Sequence, residues 1–332
     1  MIMKHLQRFY CDEKVILDPN RLNLDRNEST SDEINAIVNS IYSQIDYTSC
    51  SYYGYNSYNC YHKLADYHNI SHRDILLTNG CDGAIRTYFE HNRGSKCLIT
   101  RPSFAMVEVY AHYYCEDIVY VDFDNVDRDI NDISPILKGI EQLMYGDIVV
   151  LATPESPTGK QYNKDQLLHI IDVCKWQGVK LLLDETYILY GNTPTMMPFI
   201  DDTLSICRSF SKSYGVAGVR LGYLVCKDHT IHDSKPMLEI GNFQAQMMEG
   251  IIDNMSRFLI AIEGRIKLRN ELSSYKGIIN TYGNFIHIDK NIINIDKLHK
   301  IAYSRQIDHP SMMGVVRLTL PNKLSCIQSI LN

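Results

Sequence analysis

A lysine flanked by hydroxyl groups and followed by an arginine is the feature of this sequence best suited to chemistry. Lys212 follows Ser209 and Ser211, and Arg220 lies eight residues further on. A lysine amine whose pKa is lowered can form an imine with an aldehyde. Serine hydroxyls and an arginine guanidinium are suitable hydrogen-bond donors for a phosphate dianion. The segment therefore predicts a reactive amine beside a phosphate-binding loop rather than an ordinary surface lysine.

An acidic residue at the end of an apolar run is a second candidate. Asp184 closes the run at residues 179–183, and Tyr187 follows three residues later. A buried carboxylate within a few ångströms of a nitrogen base favours the protonated base. Asp184 taken alone would equally suit the N-cap of a helix, but its order in the chain relative to Lys212 favours the chemical interpretation.

A glycine turn before a predicted helix supplies a third group. Gly80, Cys81 and Asp82 follow an apolar run that ends at Thr78. The first N–H groups of a helix have no partner within the helix, so they can donate to an anion. The turn therefore predicts an anion site in which Cys81 acts through its backbone.

The elements that must position these residues alternate along the chain. Short apolar runs are separated by longer amphipathic stretches, which predicts βαβ units and a mainly parallel sheet covered on both faces. The predicted strands are residues 74–78, 97–100, 118–121, 147–152, 179–184, 205–209 and 222–226, and the predicted helices are residues 82–89, 106–114, 134–144 and 164–176. The candidate residues fall at the carboxyl ends of strands, where the functional residues of such sheets collect.

After about residue 235 this alternation changes. Residues 238–275 contain few helix breakers and suit one long helix, and a strand (284–288), a helix (295–303) and a strand (315–320) follow. This order predicts a second, smaller α+β domain. We expect an N-terminal arm (1–35) that joins this domain, a large domain (36–235) and a small C-terminal domain (236–332).

Composition restricts the classes of function. The 332 residues carry a formal net charge of −6, which gives no overall basic surface for nucleic acid or an anionic membrane. The apolar runs are strand-sized, and the first eight residues do not have the pattern of a signal peptide. No two of the ten cysteines lie within four positions of each other. We therefore expect a cytoplasmic protein with no metal site and no catalytic cysteine.

Taken together, these motifs resemble those of class I and II aminotransferases, which bind pyridoxal 5'-phosphate (PLP). The stretch around Lys212 is similar to the family's PLP-lysine signature. The stretch 184–187 is similar to the family's strand that ends in Asp-Glu-Ala-Tyr, and the turn at Gly80 is similar to the family's Asn-Gly-(Ser/Ala)-Asp-Glu turn. The similarity is greatest to the histidinol-phosphate aminotransferase branch. It implies an α/β protein of fold-type I, with a mainly parallel seven-stranded sheet between helices and a smaller α+β domain.

The resemblance also implies a role for each candidate. Lys212 would hold PLP as a Schiff base, Asp184 would pair with the protonated pyridine nitrogen, and Tyr187 would bond the phenolic oxygen of the cofactor. The cofactor phosphate would be bound by Gly80, Cys81, Asp82, Ser209, Ser211 and Arg220.

Two cofactor positions depart from the family's pattern. Phe104 stands where the family usually has a tyrosine that stacks on the cofactor ring, so stacking is kept and a hydroxyl is lost. Ser156 stands where the second Asn of Pro-Asn-Asn-Pro-Thr-Gly donates to the phenolic oxygen. A serine hydroxyl is shorter and has one donor, so Tyr187 would carry more of that task.

A tyrosine-rich stretch implies a partner subunit. Tyr53 aligns with a tyrosine of the family's Arg-Tyr-Pro loop, which reaches the cofactor phosphate of the neighbouring subunit; Tyr52 and Tyr55 are alternatives. The resemblance therefore implies a homodimer with shared active sites.

Three further residues are implied to contact the substrate. Asn27 belongs to a stretch similar to the family's Asn-Glu-Asn segment. Arg317 matches the arginine that forms a bidentate interaction with the substrate carboxylate. Arg305 lies near the position of a second arginine of the family, which binds a substrate phosphate, but the spacing in this sequence is one residue short.

The resemblance implies transamination between a small, phosphorylated amine or amino acid and a keto acid. Two alternatives stay open. The same machinery would serve a decarboxylase of a small phosphorylated amino acid, similar to threonine-phosphate decarboxylase, and release of CO₂ would identify it. A non-catalytic relative that only binds PLP is the third possibility, which Ser156 motivates.

Overall fold

The computed structural model describes residues 18–29, 31–54, 58–123 and 130–331. In chain order the strands and α-helices are β1 (Leu22–Asn23), α1 (Asp32–Tyr42), α2 (Tyr58–His68), β2 (Ile75–Thr78), α3 (Gly80–His91), β3 (Lys96–Arg101), α4 (Ala105–Tyr114), β4 (Asp117–Asp122), α5 (Ser134–Ile140), β5 (Ile148–Ala152), α6 (Lys164–Gln177), β6 (Lys180–Asp184), β7 (Leu204–Ser209), β8 (Gly222–Val225), α7 (Asn242–Asp253), α8 (Met255–Leu272), β9 (Ile278–Ile279), β10 (Phe285–Asp289), α9 (Ile295–Ile301), β11 (Ala302–Tyr303), β12 (Val315–Thr319) and α10 (Gln328–Leu331).

The main sheet has seven strands in the order β2-β8-β7-β6-β5-β3-β4. Strand β8 runs antiparallel to β2 and β7, and the other neighbouring pairs are parallel. All seven predicted strands are present, so the predicted α/β fold with a mainly parallel sheet is confirmed.

Both faces of this sheet are covered, which explains its continuous apolar runs. On β6, Leu181 and Leu183 point into one hydrophobic cluster, whereas Leu182 points into a second cluster on the opposite face. Helix α6 covers one face between β5 and β6. It starts at a capping box formed by Asn163 and Gln166 and ends at Gly178, whose φ of 71° suits a left-handed C-cap. This packing fixes where the carboxyl ends of β5, β6 and β7 lie.

A second, antiparallel sheet has the order β12-β10-β9 and packs on its own hydrophobic cluster. The short strand β1 pairs in parallel with β11, so the N-terminal segment lies beside the C-terminal elements. We propose the division into arm, large domain and small domain on this basis, with the arm serving as part of the small domain.

Three predicted helices have different bounds. The helix predicted for residues 295–303 ends at Ile301, because Ala302–Tyr303 form β11 and pair with β1. The single helix predicted for residues 238–275 is wrong: α7 ends at Asp253 and α8 starts at Met255, because Asn254 has non-helical dihedrals. The side chain of Met255 packs beneath Tyr214, and this tertiary contact accompanies the change in direction. The helix predicted for residues 134–144 ends at Ile140, after which Asp147 accepts the backbone N–H of Met144. Within the described ranges, the helices are all too short or too polar to cross a membrane.

Candidate active site

A cavity of about 350 Å³ lies at the carboxyl ends of β5, β6 and β7. Ten of the predicted site residues line it: Cys81, Asp82, Phe104, Ser156, Asp184, Tyr187, Ser209, Ser211, Lys212 and Arg220. These residues come from distant parts of the chain, and the sheet topology brings them together as expected for an α/β protein. The volume is within the range of small-molecule sites.

Lys212 projects into the cavity from the segment that follows β7. Its Nζ donates to the backbone carbonyl of Arg26, with a distance of 2.9 Å. Arg26 lies in the N-terminal segment and also lines the cavity. The amine is therefore held between the large sheet and the N-terminal segment.

Asp184 is a buried carboxylate at the end of β6. Its Oδ1 accepts the backbone N–H of Thr186 at 2.8 Å and the thiol of Cys81 at 3.4 Å. Burial raises the pKa of the Asp184 carboxyl, although hydrogen bonds from Thr186 and Cys81 oppose that shift. A cation in the cavity would offset the desolvation of this carboxylate.

Tyr187 and Asn27 form a hydrogen-bonded pair beside the cavity. Asn27 Nδ2 donates to Tyr187 Oη at 2.9 Å, and both side chains are buried. Asn27 adopts a left-handed φ of 56°, and its backbone N–H donates a hydrogen bond to Thr319 Oγ1 of β12. Strained backbone of this kind occurs where surrounding contacts over-determine the position of a side chain, often at functional sites.

The turn before α3 packs closely against Arg220. Gly80 has a φ of 73°, and a Cβ at this position would lie 2.9 Å from Arg220 Nη2. The guanidinium of Arg220 also donates to the carbonyl of Ala217, and Arg220 itself has a φ of 58°. The free N–H groups at the start of α3 and this guanidinium thus lie on the same wall of the cavity.

Three other predicted cofactor residues complete that wall. Ser209 and Ser211 are buried, and the N–H of Ser211 donates to Ser209 Oγ at 3.1 Å. The carboxylate of Asp82 accepts from the hydroxyl of Tyr110, at a distance of 2.9 Å. Hydroxyl, N–H and guanidinium donors therefore gather in one region, which suits a dianion.

Ser156 lies between the cavity and the C-terminal sheet. Arg317 Nη1 is 3.5 Å from Ser156 Oγ, and Arg317 Nη2 donates to the carbonyl of Asp25 at 2.9 Å. Arg317 is therefore adjacent to the cavity and is oriented by two separate segments. Phe104 sits across the cavity at the start of α4 and is 41% exposed.

Five predicted residues are not among those that line this cavity: Gly80, Asn27 and Arg317, which lie beside it, and Tyr53 and Arg305. Tyr53 is 71% exposed. A role toward a neighbouring subunit would require such a surface position. Arg305 pairs with Arg317 through the backbone, with N···O distances of 2.9 and 2.8 Å, but its side chain is exposed. Tyr55, an alternative to Tyr53, lies outside the described residues.

Several polar residues of this region escaped the sequence analysis. Glu185, the neighbour of Asp184, forms a buried ion pair with Arg208 at 2.6 Å and so joins the ends of β6 and β7. Glu155 is buried beside Ser156, and its Oε1 accepts from Thr100 at 2.8 Å. A charged residue between two prolines, directly after a buried strand, was a usable signal for Glu155. Cys207 gave no signal, because its contact with Cys81 spans 126 positions of sequence.

Comparison with known proteins identifies the family. The sequence profile described as aminotransferase class I and II matches residues 19–274. A histidinol-phosphate aminotransferase of Haloarcula marismortui is 29% identical over 167 residues, which cover 49% of this chain and 45% of that protein. The alignments with two other such enzymes cover 58% and 62% of their lengths, so the chain spans less than two thirds of these relatives.

Solved structures share the fold. The histidinol-phosphate aminotransferase of Sinorhizobium meliloti, solved with pyridoxal-5'-phosphate, has a TM-score of 0.78 at 15% identity, covering 93% of this chain and 89% of that one. The L-threonine-O-3-phosphate decarboxylase of Porphyromonas gingivalis has a TM-score of 0.72 at 18% identity, covering 93% and 97%. The fold is therefore that of fold-type I PLP enzymes. The match over residues 19–274 shows that this chain belongs to the class I and II aminotransferase family.

Proposed function

We propose that this protein is a PLP-dependent aminotransferase in which Lys212 carries the cofactor. The observation that supports this most directly is a single cavity lined by an amine (Lys212), a buried carboxylate (Asp184) and a guanidinium (Arg220). The family to which the chain belongs is PLP-dependent. The amine, the carboxylate and the hydrogen-bond donors around Arg220 match three parts of PLP, which are its aldehyde, its ring nitrogen and its phosphate.

The residues present fit this cofactor. Gly80 has no side chain where a Cβ would meet Arg220, so the phosphate end of the cavity stays open. When bound, PLP withdraws an electron pair from the α-carbon of an amino substrate. The carboxylate of Asp184 would hold the ring nitrogen protonated, which strengthens that withdrawal.

Lys212 would also move the proton. Once a substrate amine has replaced it, the Lys212 amine would take the proton from the substrate α-carbon and return it during the reaction. The carbonyl of Arg26 is 2.9 Å from Nζ and would steady the amine between these steps. Tyr187, held by Asn27, would donate to the phenolic oxygen of PLP and so carry more of the task that the shorter Ser156 side chain fulfils less well than an asparagine.

The substrate would be a small amine or amino acid, with a keto acid as the acceptor. Arg317 would bind the carboxylate, and Asn27 would line the same pocket from the N-terminal segment. A phosphate on the substrate fits the resemblance to histidinol-phosphate aminotransferases, with Arg305 as its proposed ligand. The exposed side chain of Arg305 would have to turn toward the pocket for that role.

Decarboxylation is the second candidate. For decarboxylation, Arg317 would have to hold the substrate carboxylate in a different orientation from the one that transamination needs. Ser156 changes the side of the cavity that faces Arg317, and the fold is shared with a threonine-phosphate decarboxylase. Release of CO₂ in place of a keto product would favour this candidate.

We also propose that the protein is a cytoplasmic homodimer. Tyr47, Tyr52 and Tyr53 lie in one segment and are 61%, 76% and 71% exposed. Exposed aromatic side chains in one segment are typical of a protein interface. Sedimentation analysis would test the dimer, and mixing Lys212→Ala with Tyr53→Ala subunits would test whether the active sites are shared.

The decisive experiment is an absorbance spectrum of wild-type and Lys212→Ala protein with added PLP, followed by a panel of amino donors. We expect a visible band of the lysine–PLP imine in the wild type only. A donor such as L-glutamate or histidinol phosphate should bleach this band and leave the amine form of the cofactor. Absence of the band in the wild type would refute the proposal, whereas a band that no donor bleaches would indicate a non-catalytic PLP-binding protein.

A further inference from the structure

Two thiols lie next to Asp184: Cys81 lines the cavity, and Cys207 is buried behind it. Cys81 Sγ is 3.1 Å from Cys207 Sγ and 3.4 Å from Asp184 Oδ1, and the three ligand atoms all lie within 4.8 Å of one another. All three side chains are buried. Among the described residues, no other group of three or more His, Cys, Asp or Glu side chains is arranged closely enough to hold a metal ion.

We propose that the cofactor-free protein binds one thiophilic divalent cation, such as Zn²⁺, at Cys81, Cys207 and Asp184. Two sulfur ligands and one oxygen ligand form a donor set that Zn²⁺ accepts. The cavity borders Cys81 and Asp184, so it gives the cation a path of entry and room for a water as the fourth ligand. Sites with three protein ligands and an open position are typical of accessible zinc.

The geometry requires only a small adjustment. Zinc–sulfur distances of about 2.3 Å and zinc–oxygen distances of about 2.1 Å place tetrahedral S···O neighbours about 3.6 Å apart and S···S neighbours about 3.8 Å apart. The Cys81–Asp184 distance of 3.4 Å is within about 0.2 Å of the first value. The Cys81–Cys207 distance of 3.1 Å would widen by about 0.7 Å. On binding, the two thiols lose their protons to solvent, and the cation replaces them.

The three ligands are held by separate elements of the sheet. Asp184 and Cys207 are directly paired residues of β6 and β7, and Cys81 lies in the first turn of α3. The related turn of the family carries Ser or Ala at the position of Cys81, so the sulfur there is a property of this chain. No CxxC spacing connects these ligands, so the spacing of the cysteines in the sequence predicts no metal site.

On the basis of the proposed function, the cation and the cofactor compete for Asp184. Asp184 is the residue expected to pair with the pyridine nitrogen of PLP, and a cation bound to the same carboxylate occupies that position. Cation and cofactor would therefore exclude each other. Zinc would keep the protein in an inactive, cofactor-free form until PLP displaced it.

Cadmium provides a direct test, because cadmium–thiolate bonds absorb in the ultraviolet. The reduced, full-length, cofactor-free protein is titrated with CdCl₂ alone. We expect a saturable band with one cadmium per chain, and a loss of roughly tenfold or more in affinity for Cys207→Ala. Cys97→Ala is the matched control, because Cys97 is also a buried thiol in contact with another cysteine, Cys115, and lies away from the cavity.

Several outcomes would overturn the site. An unchanged band in Cys207→Ala, or its loss in Cys97→Ala, would assign the cadmium to other thiols. Cys81→Ala provides a second, independent variant, and circular dichroism shows whether each variant is folded. Cadmium that stays bound when PLP forms its Lys212 band would refute mutual exclusion. Cadmium binding without any PLP band would refute the proposed function and leave the metal site intact, and the reverse result would refute only the metal site.

Discussion

Replacing Glu155 by glutamine should change how the stability of the protein depends on pH. The Glu155 side chain is 1% exposed, and its Oε2 has no hydrogen-bond partner among the described residues. Burial raises the pKa of this carboxyl from 4.5 to about 8, and the negative charge of Asp184 adds to the shift. At neutral pH the folded protein therefore holds Glu155 largely as the neutral acid, for which glutamine is a close substitute in shape.

The sign of the effect follows from proton binding. Between pH 4.5 and about 8 the folded chain keeps a proton on Glu155 that the unfolded chain releases. The contribution of Glu155 to the free energy of unfolding is therefore fully present below pH 4.5. This contribution is lost as the pH rises through about 8. One pKa unit corresponds to about 1.4 kcal/mol, so the loss between pH 6 and pH 9 is about 2 to 3 kcal/mol. Glutamine does not titrate and avoids this loss.

Urea unfolding of the cofactor-free protein at pH 6 and pH 9 measures the difference. We expect the stability of Glu155→Gln relative to wild type to improve by about 2 to 3 kcal/mol between the two pH values. Glu263→Gln is the control, because the Glu263 side chain is 64% exposed and should leave the pH dependence unchanged. If wild type and Glu155→Gln lose stability in parallel over this range, Glu155 is ionised in the folded protein and the reasoning fails.

Three further substitutions test other parts of the site. Gly80→Ala should weaken PLP binding about tenfold, measured by cofactor titration, because the φ of 73° disfavours a side chain and the new Cβ would meet Arg220; unchanged affinity would show that this turn does not shape the phosphate site. Arg317→Lys should raise KM for the carboxylate substrate by roughly 10- to 100-fold with a smaller effect on kcat, because lysine cannot form a bidentate interaction with a carboxylate. Glu185→Ala should destabilise the fold by about 3 to 5 kcal/mol in urea titrations, because Arg208 would keep a buried charge without its partner; a loss below about 1 kcal/mol would mean that water reaches Arg208.

The sequence predicted those parts of the fold that depend on local pattern. The strands of the main sheet are short apolar runs that end at polar residues such as Asp184 and Ser209, and a period-based analysis finds them. The break at Asn254 was missed because the surrounding residues all suit a helix. What separates α7 from α8 is the local conformation of Asn254 and the packing of Met255 against Tyr214, a contact that spans 41 positions.

In the candidate site, too, local motifs were predicted and long-range contacts were not. Lys212, Asp184 and the turn at Gly80 each stand in a recognisable local motif, and the order of strands is enough to bring them to one edge of the sheet. Cys207 and Arg26 gave no such signal, because strand pairing brings Cys207 against Asp184 and the course of the N-terminal segment brings Arg26 to the cavity. Side chains of this second kind distinguish one member of a fold from another, and a single sequence does not reveal them.

The loop that carries Ser156 illustrates why these long-range contacts matter for function. Three residues of the C-terminal region hold it: Arg317 contacts the Ser156 hydroxyl, His287 bonds the carbonyl of Pro157 at 3.0 Å, and the N–H of Tyr282 donates to the carbonyl of Gly159 at 2.9 Å. His287 and Arg317 are paired residues of β10 and β12, so the loop follows that sheet as a unit. Burial lowers the pKa of His287 to about 4, which keeps its ring neutral at physiological pH next to the Arg317 charge. Ser156 thus stands where the cofactor side of the cavity meets the carboxylate-binding arginine, and a change at this position should alter cofactor absorbance and substrate KM together.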